Sequence, residues 1–269
     1  MSDSQLLEAM IGAAIEAGRA VYEHYCTGFE IQHKADSSPV TSADHAAERI
    51  ILERLAVCAA QIAVVAEESV AAGRVPGPAQ EFFLVDPLDG TREFIDRNGD
   101  FTVNIALVRR AAPQLGVVYA PARNVLYAGD VPAGAAFRSA QQPTAAPAQS
   151  REAIHARGRP PGGLTAVASR SHRSPATDRY LERYPIANTV SVGSSLKFCL
   201  VAAGEADLYP RLGTTMEWDT AAGHAVLSAA GGQVIAPDGH ELAYGKPDYR
   251  NPAFVASGAW SAQPPEALA

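Results

Sequence analysis

The chain has 269 residues, 47% of them hydrophobic, enough to bury a large core as one big domain or as two tightly packed halves. A formal net charge of -7 argues against a nucleic-acid polymer or an anionic membrane as the main partner, while leaving room for a small anion in a local basic pocket. No apolar run is long enough to span a bilayer, and the start "MSDSQLLEAMIGAAIEAGRA" lacks a basic leader region, so the expected setting is the cytoplasm, with no membrane anchor.

In chain order, Leu6, Leu7, Met10, Ile11, Ala14, Ile15, Val21 and Tyr22 share one helical face and predict a helix over about residues 3–25. A second helix is predicted from Thr41 or Ser42 to about Ala60, with Ile50, Ile51, Leu55 and Val57 as its apolar stripe. Short β-like runs follow: "QIAVVAE", "EFFLVD", "FTVNIALV", "LGVVYA" and "VLYAGDV". Their close spacing predicts an antiparallel sheet. Residues 139–163, "SAQQPTAAPAQSREAIHARGRPPGG", have no periodicity and read as a surface loop or connection without function. The second half is more α/β-like: "LTAVASRS", "TVSVG", a helix over about 194–203, "ADLYPRL", a helix from about Asp219 to Ala230, "GGQVIAP" and "NPAFVAS". The expected division is an N-terminal part, residues 1–138, the connection 139–163, and a C-terminal part, residues 164–269, that completes a site. Cys26, Cys58 and Cys199 are widely spaced, without a CxxC pair, and read as reduced thiols.

Chemistry gathers where elements end. In "VVAEES" a β-run empties into Glu67 and Glu68, either as solvated strand-end residues or as ligands. In "VDPLDGT" a buried strand ends in Asp86 and Asp89, flanking Pro87 and Leu88. These are either turn aspartates at favoured positions or two carboxylates and a carbonyl converging on one small volume. In "EWDTAAGHAVLSAAGG", Asp219 sits where a helix N-cap belongs, ahead of small residues that allow close approach. In "SPVTSADHAAERI", Thr41 and Asp44 have capping-box spacing, so Asp44 is either a cap or a catalytic group. Unpaired, carboxylates gathered at a buried strand end repel and resist desolvation. With no His/Cys ligand spacing nearby, a hard cation such as Mg²⁺ suits them. The helix start after Gly90 suits a phosphate, so the pattern points to phosphoryl chemistry.

The segments "KADSSPVTSAD", "AEES", "DPLDGTREFI", "NGDFTVNIALV", "GVVYAP", "SRSH", "GSSLKFCLVAAGEADLYPR" and "WDTAAGHAVLSAAGG" resemble, in order, the inositol monophosphatase superfamily and its bacterial 3'(2'),5'-bisphosphate nucleotidase branch. The resemblance implies a layered α+β sandwich of alternating helix and sheet layers. It also implies Mg²⁺-dependent, lithium-sensitive conversion of adenosine 3',5'-bisphosphate to AMP, with two or three Mg²⁺ ions. The implied metal ligands are Glu67, Asp86, the Leu88 carbonyl, Asp89 and Asp219, and the implied water-activating pair is Asp44 with Thr91. Substrate contacts are implied for Glu67, Leu88, Asp89, Gly90, Thr91, Arg92, His172, Ser194, Lys197, Arg211 and Asp219, the bound partner being a small phosphorylated nucleotide. The sequence departs from the nucleotidase branch in two places: "EESVAAG" looks more like the inositol monophosphatase branch, and Arg92 replaces the usual Lys. The alternatives are an inositol monophosphatase or other small phosphomonoester phosphatase, and a catalytically silent nucleotide-binding protein.

Overall fold

A computed structural model of the chain describes residues 1–34, 38–77, 79–147, 150–169 and 174–266. The first helix, α1 (Asp3–Thr27), starts in a capping box in which Ser2 Oγ accepts from the Gln5 amide and Gln5 Oε1 accepts from the Ser2 amide. A short antiparallel pair, β1 (Ile31–His33) and β2 (Pro39–Thr41), leads into α2 (Ser42–Ala59). The buried side of α2 is Ala43, Asp44, Ala47, Glu48, Ile51, Leu55 and Ala59. Val57, expected on that stripe, is 85% exposed. It lies two positions beyond Leu55, roughly 200° around the helix.

The sheet that follows runs β3 (Ala63–Ala66), β4 (Glu81–Asp89), β5 (Thr102–Arg109), β6 (Ala112–Ala120), β7 (Val125–Asp130), β8 (Ala135–Ala140) and β9 (Glu152–Ala153), adjacent in that order. Two short helices, α3 (Glu67–Ala71) and α4 (Thr91–Ile95), leave the C-terminal ends of β3 and β4. The expected antiparallel pairing holds from β4 onward, but β3 runs parallel to β4. The crossover through α3 is what lets both strands end on the same side. Residues 139–163 are not all loop: β9 pairs with β8, and Ile154 and Ala156 behind it are buried. Two residues of strand are too short to register as periodicity in so Pro/Ala-rich a segment.

The remaining elements are β10 (Leu164–Ser169), α5 (Pro175–Leu181), β11 (Ile186–Val192), α6 (Leu196–Ala202), β12 (Leu208–Arg211), β13 (Thr215–Met216), α7 (Ala221–Ala229), β14 (Gln233–Ile235), β15 (Arg250–Asn251) and β16 (Phe254–Ser257). Five of them form a mixed sheet of order β11-β10-β12-β16-β14, and β13 pairs with β15.

Alternation along the strands explains the layering. On β4, Phe83 and Val85 face one core with α1 and α2, while Phe82 and Leu84 face another with α6 and α7. The second sheet divides likewise: Tyr209 and Phe254 join the α6/α7 core, and Leu208 and Val255 pack with Tyr180 and Leu181 of α5. The result is the expected α+β sandwich of alternating helix and sheet layers. Among the described residues no helix is long and apolar enough to cross a membrane.

Candidate active site

The ends of β3 and β4 and the start of α7 meet at one cleft. The decisive local feature is an irregularity in β4. Asp86 pairs with Asn104 and Asp89 with Thr102, so three steps on β4 oppose two on β5. In a regular strand, residues three apart point to opposite faces; the extra residue cancels that and puts both aspartates toward the same volume. Pro87 suits the position because it has no amide to leave unpaired. Asp86 Oδ1 accepts from the Leu88 amide at 3.0 Å. Of the two readings, the plain turn gives way to a bulged strand end.

Asp219 does not cap α7, contrary to the capping reading. The N-cap is Thr220, without a side-chain cap bond, and Asp219 Oδ2 instead accepts from the Met216 amide at 2.8 Å. Helix α7 comes close because glycines stand at its contacts, one on β6 and one on α7 itself: a Cβ on Gly116 of β6 would stand 2.4 Å from the Ala222 carbonyl oxygen, and one on Gly223 2.6 Å from the Phe198 ring. Burial pushes the carboxyl of Asp86 well above the usual range, and Glu67, Asp89 and Asp219 push it further. Asp219 is raised likewise by burial, then by Asp89 and Glu67. These four carboxylates thus share one electrostatic neighbourhood.

Asp44 is the capping-box partner and also faces Thr91. Its Oδ2 closes the capping box, accepting from the Thr41 amide at 2.8 Å and the Thr41 hydroxyl at 2.7 Å. Its Oδ1 lies 3.4 Å from Thr91 Oγ1, which is also 3.2 Å from the Leu88 carbonyl oxygen. Burial raises the Asp44 carboxyl to about 6, against the opposing bonds from Thr41. Gly90 leads into Thr91 with a left-handed φ of 89°, and a Cβ there would stand 2.9 Å from the Asp100 carbonyl oxygen. Only glycine meets both requirements.

Lys34, which the sequence reading did not single out, lies against the acidic group: its Nζ is 2.6 Å from Glu67 Oε1 and 2.7 Å from Glu68 Oε1. Burial would lower this ammonium, but the two glutamates hold it above its ordinary value. Glu68 is raised to about 7, first by burial and then by Glu67. Glu48 on α2 steadies this corner by accepting from the Glu68 amide at 2.8 Å and the Ser69 hydroxyl at 2.7 Å.

Glu67, Asp89, Gly90, Thr91, Arg92, Ser194, Lys197, Arg211 and Asp219 all line a cleft of ≈ 310 Å³. Asp44, Asp86 and Leu88 are each 1% exposed and lie outside its lining. His172 is outside the described residues. Lys197 is buried, its ammonium 5.6 Å from the centre of the Tyr209 ring, with no hydrogen bond among the described residues. Burial lowers it to about 8; Asp89 opposes this and Arg211 adds to it. Arg211 donates from Nη2 to the Thr214 carbonyl at 3.1 Å, while its Nε is buried without a partner. Two neighbouring cations with unused donors invite an anion. Arg92 is exposed at the rim.

The donor chemistry fits a hard divalent cation: carboxylates and one carbonyl, raised by mutual repulsion, with an ammonium standing against Glu67. Among the described residues, no three His, Cys, Asp or Glu side chains are arranged to close on a common ion. The chemistry of a metal centre is therefore present without a closed cage.

Two polar residues missed in the sequence sit behind the carboxylates. Ser195 donates to Asp89 Oδ2 from its amide at 2.7 Å, and Asn104 Nδ2 donates to Ser195 Oγ at 2.9 Å. Asn104 left one signal: an amide inside the apolar run "FTVNIALV" needs a partner when buried.

The profile of the inositol monophosphatase family matches residues 2–266. The 3'(2'),5'-bisphosphate nucleotidase CysQ of Escherichia coli (strain K12) is 44% identical over 256 residues, spanning 94% of this chain and 99% of that protein. The protein of the same name from Salmonella typhimurium is 45% identical over 253 residues, 93% of this chain and 98% of that one. Among solved structures, CysQ from Bacteroides thetaiotaomicron, a bacterial member of the inositol monophosphatase family, aligns with a TM-score of 0.78 at 36% identity, covering 96% of this chain and 98% of that one. An inositol monophosphatase from Anabaena (Nostoc) sp. PCC 7120 aligns with a TM-score of 0.72 at 25% identity, covering 95% and 92%.

Proposed function

The chain belongs to the inositol monophosphatase family, whose members are metal-dependent, and from that premise we propose that it is a 3'(2'),5'-bisphosphate nucleotidase converting adenosine 3',5'-bisphosphate to AMP and phosphate. The observation that carries the substrate assignment is the pairing of an acidic cluster with two under-bonded cations, Lys197 and Arg211, in one cleft. One phosphate, held through the metal ions these carboxylates would bind, accounts for the acidic half of the site. A second phosphate accounts for the cations.

Glu67, Asp86, the Leu88 carbonyl, Asp89 and Asp219 would hold two or three Mg²⁺ ions, which supply Lewis-acid activation of water and neutralise charge on phosphoryl oxygens. A divalent cation held at Glu67 Oε1 would displace the Lys34 ammonium from that oxygen, since the two positive charges repel at close range. Thr91 Oγ1, donating toward Asp44 Oδ1, keeps lone pairs free to accept from the attacking water, and Asp44 takes up the proton. The amides of Gly90 and Thr91 hold the phosphoryl oxygens as charge spreads over them. Lys197 and Arg211 hold the phosphate that stays. In this reading residues 1–138 supply Asp44, Glu67 and the 86–92 segment, residues 164–269 supply Ser194, Lys197, Arg211 and Asp219, and neither part is complete alone. Chromatography of the products tests the regiochemistry: 5'-AMP is expected, and adenosine 3'-phosphate as the main product would reverse the assignment of the two phosphate sites.

A further inference from the structure

Asp100, Thr102 and Asn104 occupy alternate positions at and before the start of β5, and each engages the next residue of the Gly193–Ser194–Ser195 turn. The Gly193 amide donates to Asp100 Oδ2 at 3.1 Å, Thr102 Oγ1 and Ser194 Oγ are 2.8 Å apart, and Asn104 Nδ2 donates to Ser195 Oγ at 2.9 Å. Period two along β5 and the residue ahead of it meets period one on the turn, so alternate positions fix three consecutive residues. Arg123 Nε donates to Asp100 Oδ1 at 2.8 Å and anchors that end. The turn needs anchoring: Ser194 sits at φ 52°, a left-handed conformation that disfavours any residue with a side chain.

The last rung reaches the acidic cluster. Ser195 Oγ is 3.1 Å from Asp89 Oδ2 and 2.8 Å from the Asp219 carbonyl oxygen. It has one proton for those two acceptors, and the Asn104 amide group occupies a lone pair and so orients that proton toward them. With the Ser195 amide also on Oδ2, both donors of Ser195 fall on one Asp89 oxygen, which the Asn104 amide group also approaches at 3.4 Å, while Oδ1 takes no hydrogen bond among the described residues. Asp89 ends β4 and Asp219 lies in the turn before α7, far apart in the chain, and Ser195 bonds to both.

We propose that Ser195, oriented by Asn104, is the positioning residue that fixes the spacing of Asp89 and Asp219 and reserves Asp89 Oδ1 for a divalent cation. This rests on the reading of Asp89 and Asp219 as metal ligands. Outer partners of metal ligands commonly govern 10- to 100-fold in affinity.

The test is direct binding of Mn²⁺, as a probe for Mg²⁺, to the metal-stripped full chain, read by calorimetry and by the electron paramagnetic resonance of free Mn²⁺. Ser195→Ala is expected to weaken Mn²⁺ binding roughly 10- to 100-fold. Asn104→Ala, which leaves both donors of Ser195 in place but removes their orienting partner and the longer 3.4 Å contact to Asp89 Oδ2, is expected to weaken it roughly tenfold. Turnover by both variants should recover as Mg²⁺ is raised. Unfolding midpoints in a chelator separate this from a structural role: lowered midpoints with wild-type Mn²⁺ dissociation constants overturn the proposal. Wild-type protein that binds no Mn²⁺ overturns the metal-centre reading, and this inference with it. Tight wild-type binding matched by both variants overturns the inference alone.

Discussion

Asp44 and Thr91 stand 3.4 Å apart, Oδ1 to Oγ1, with the other Asp44 oxygen held by both the amide and the hydroxyl of Thr41. The capping box that starts α2 therefore fixes the orientation of the group that faces the Thr91 hydroxyl. On the proposed mechanism, a helix cap and a proton acceptor share one side chain. Replacing Thr91 with Ala removes the hydroxyl but neither backbone amide, so kcat should fall far more than KM rises, because the lost contact acts on water in the transition state. Steady-state kinetics at saturating Mg²⁺ checks this. A loss lying wholly in KM would assign Thr91 to ground-state binding.

Asp86→Asn should abolish most activity without unfolding the chain. The substitution keeps an acceptor for the Leu88 amide while removing a charge that burial and three neighbouring carboxylates all oppose. Activity should drop by at least roughly 100-fold, and the unfolding midpoint in a chelator should not decrease. Near-normal turnover of the folded variant at low Mg²⁺ would contradict the ligand assignment.

Lys34 gives an expectation of opposite character. Its ammonium is the counter-ion of Glu67 and Glu68 in the metal-free protein, so Lys34→Met leaves two adjacent carboxylates without it. Losing charge-assisted contacts worth about 1.5–3 kcal/mol should lower the metal-free midpoint by roughly 5 °C. Saturating Mg²⁺ should close most of that gap. Calorimetry with and without Mg²⁺ measures it, and a gap that Mg²⁺ leaves unchanged would contradict the exchange of one cation for the other.

Lys197 and Arg211 should matter for the bisphosphate alone. Either residue replaced by Met should cost roughly ten- to hundredfold in kcat/KM for adenosine 3',5'-bisphosphate, while inositol 1-phosphate, with no second phosphate, should respond little. The buried Lys197 ammonium, lowered to about 8, gives this a pH signature. It is charged below that value and neutral above it, so kcat/KM for the bisphosphate should fall as pH rises through about 8, and the Lys197→Met variant should lack that limb. Equal losses on both substrates would place the two cations in the common site or the fold.

The fold was legible wherever burial imposed a period. The α1 face and the strands β4 to β7 could be placed from the sequence because each is packed on at least one long apolar face. What escaped was decided by distant contacts or by short elements. The parallel sense of β3 depends on the crossover through α3, β9 is two residues long, and Val57 is an apolar residue on an exposed helix face. The carboxylates announced themselves because several acidic residues at element ends are chemically conspicuous. Ser195 and Asn104 did not, since their bond joins positions 91 residues apart and neither residue carries a charge. Lys34 was invisible for a different reason: an isolated lysine ordinarily points to solvent, and only the fold brings Glu67 and Glu68 to it.

If the acidic cluster and the two cations together select a nucleoside bisphosphate and cleave it with Mg²⁺, phosphate release from adenosine 3',5'-bisphosphate, inositol 1-phosphate and fructose 1,6-bisphosphate, each with and without Mg²⁺, will separate the substrates. The highest kcat/KM is expected on adenosine 3',5'-bisphosphate, with loss of activity on every substrate when Mg²⁺ is withheld. A preference for inositol 1-phosphate or fructose 1,6-bisphosphate, or turnover undiminished by a chelator, would contradict this expectation.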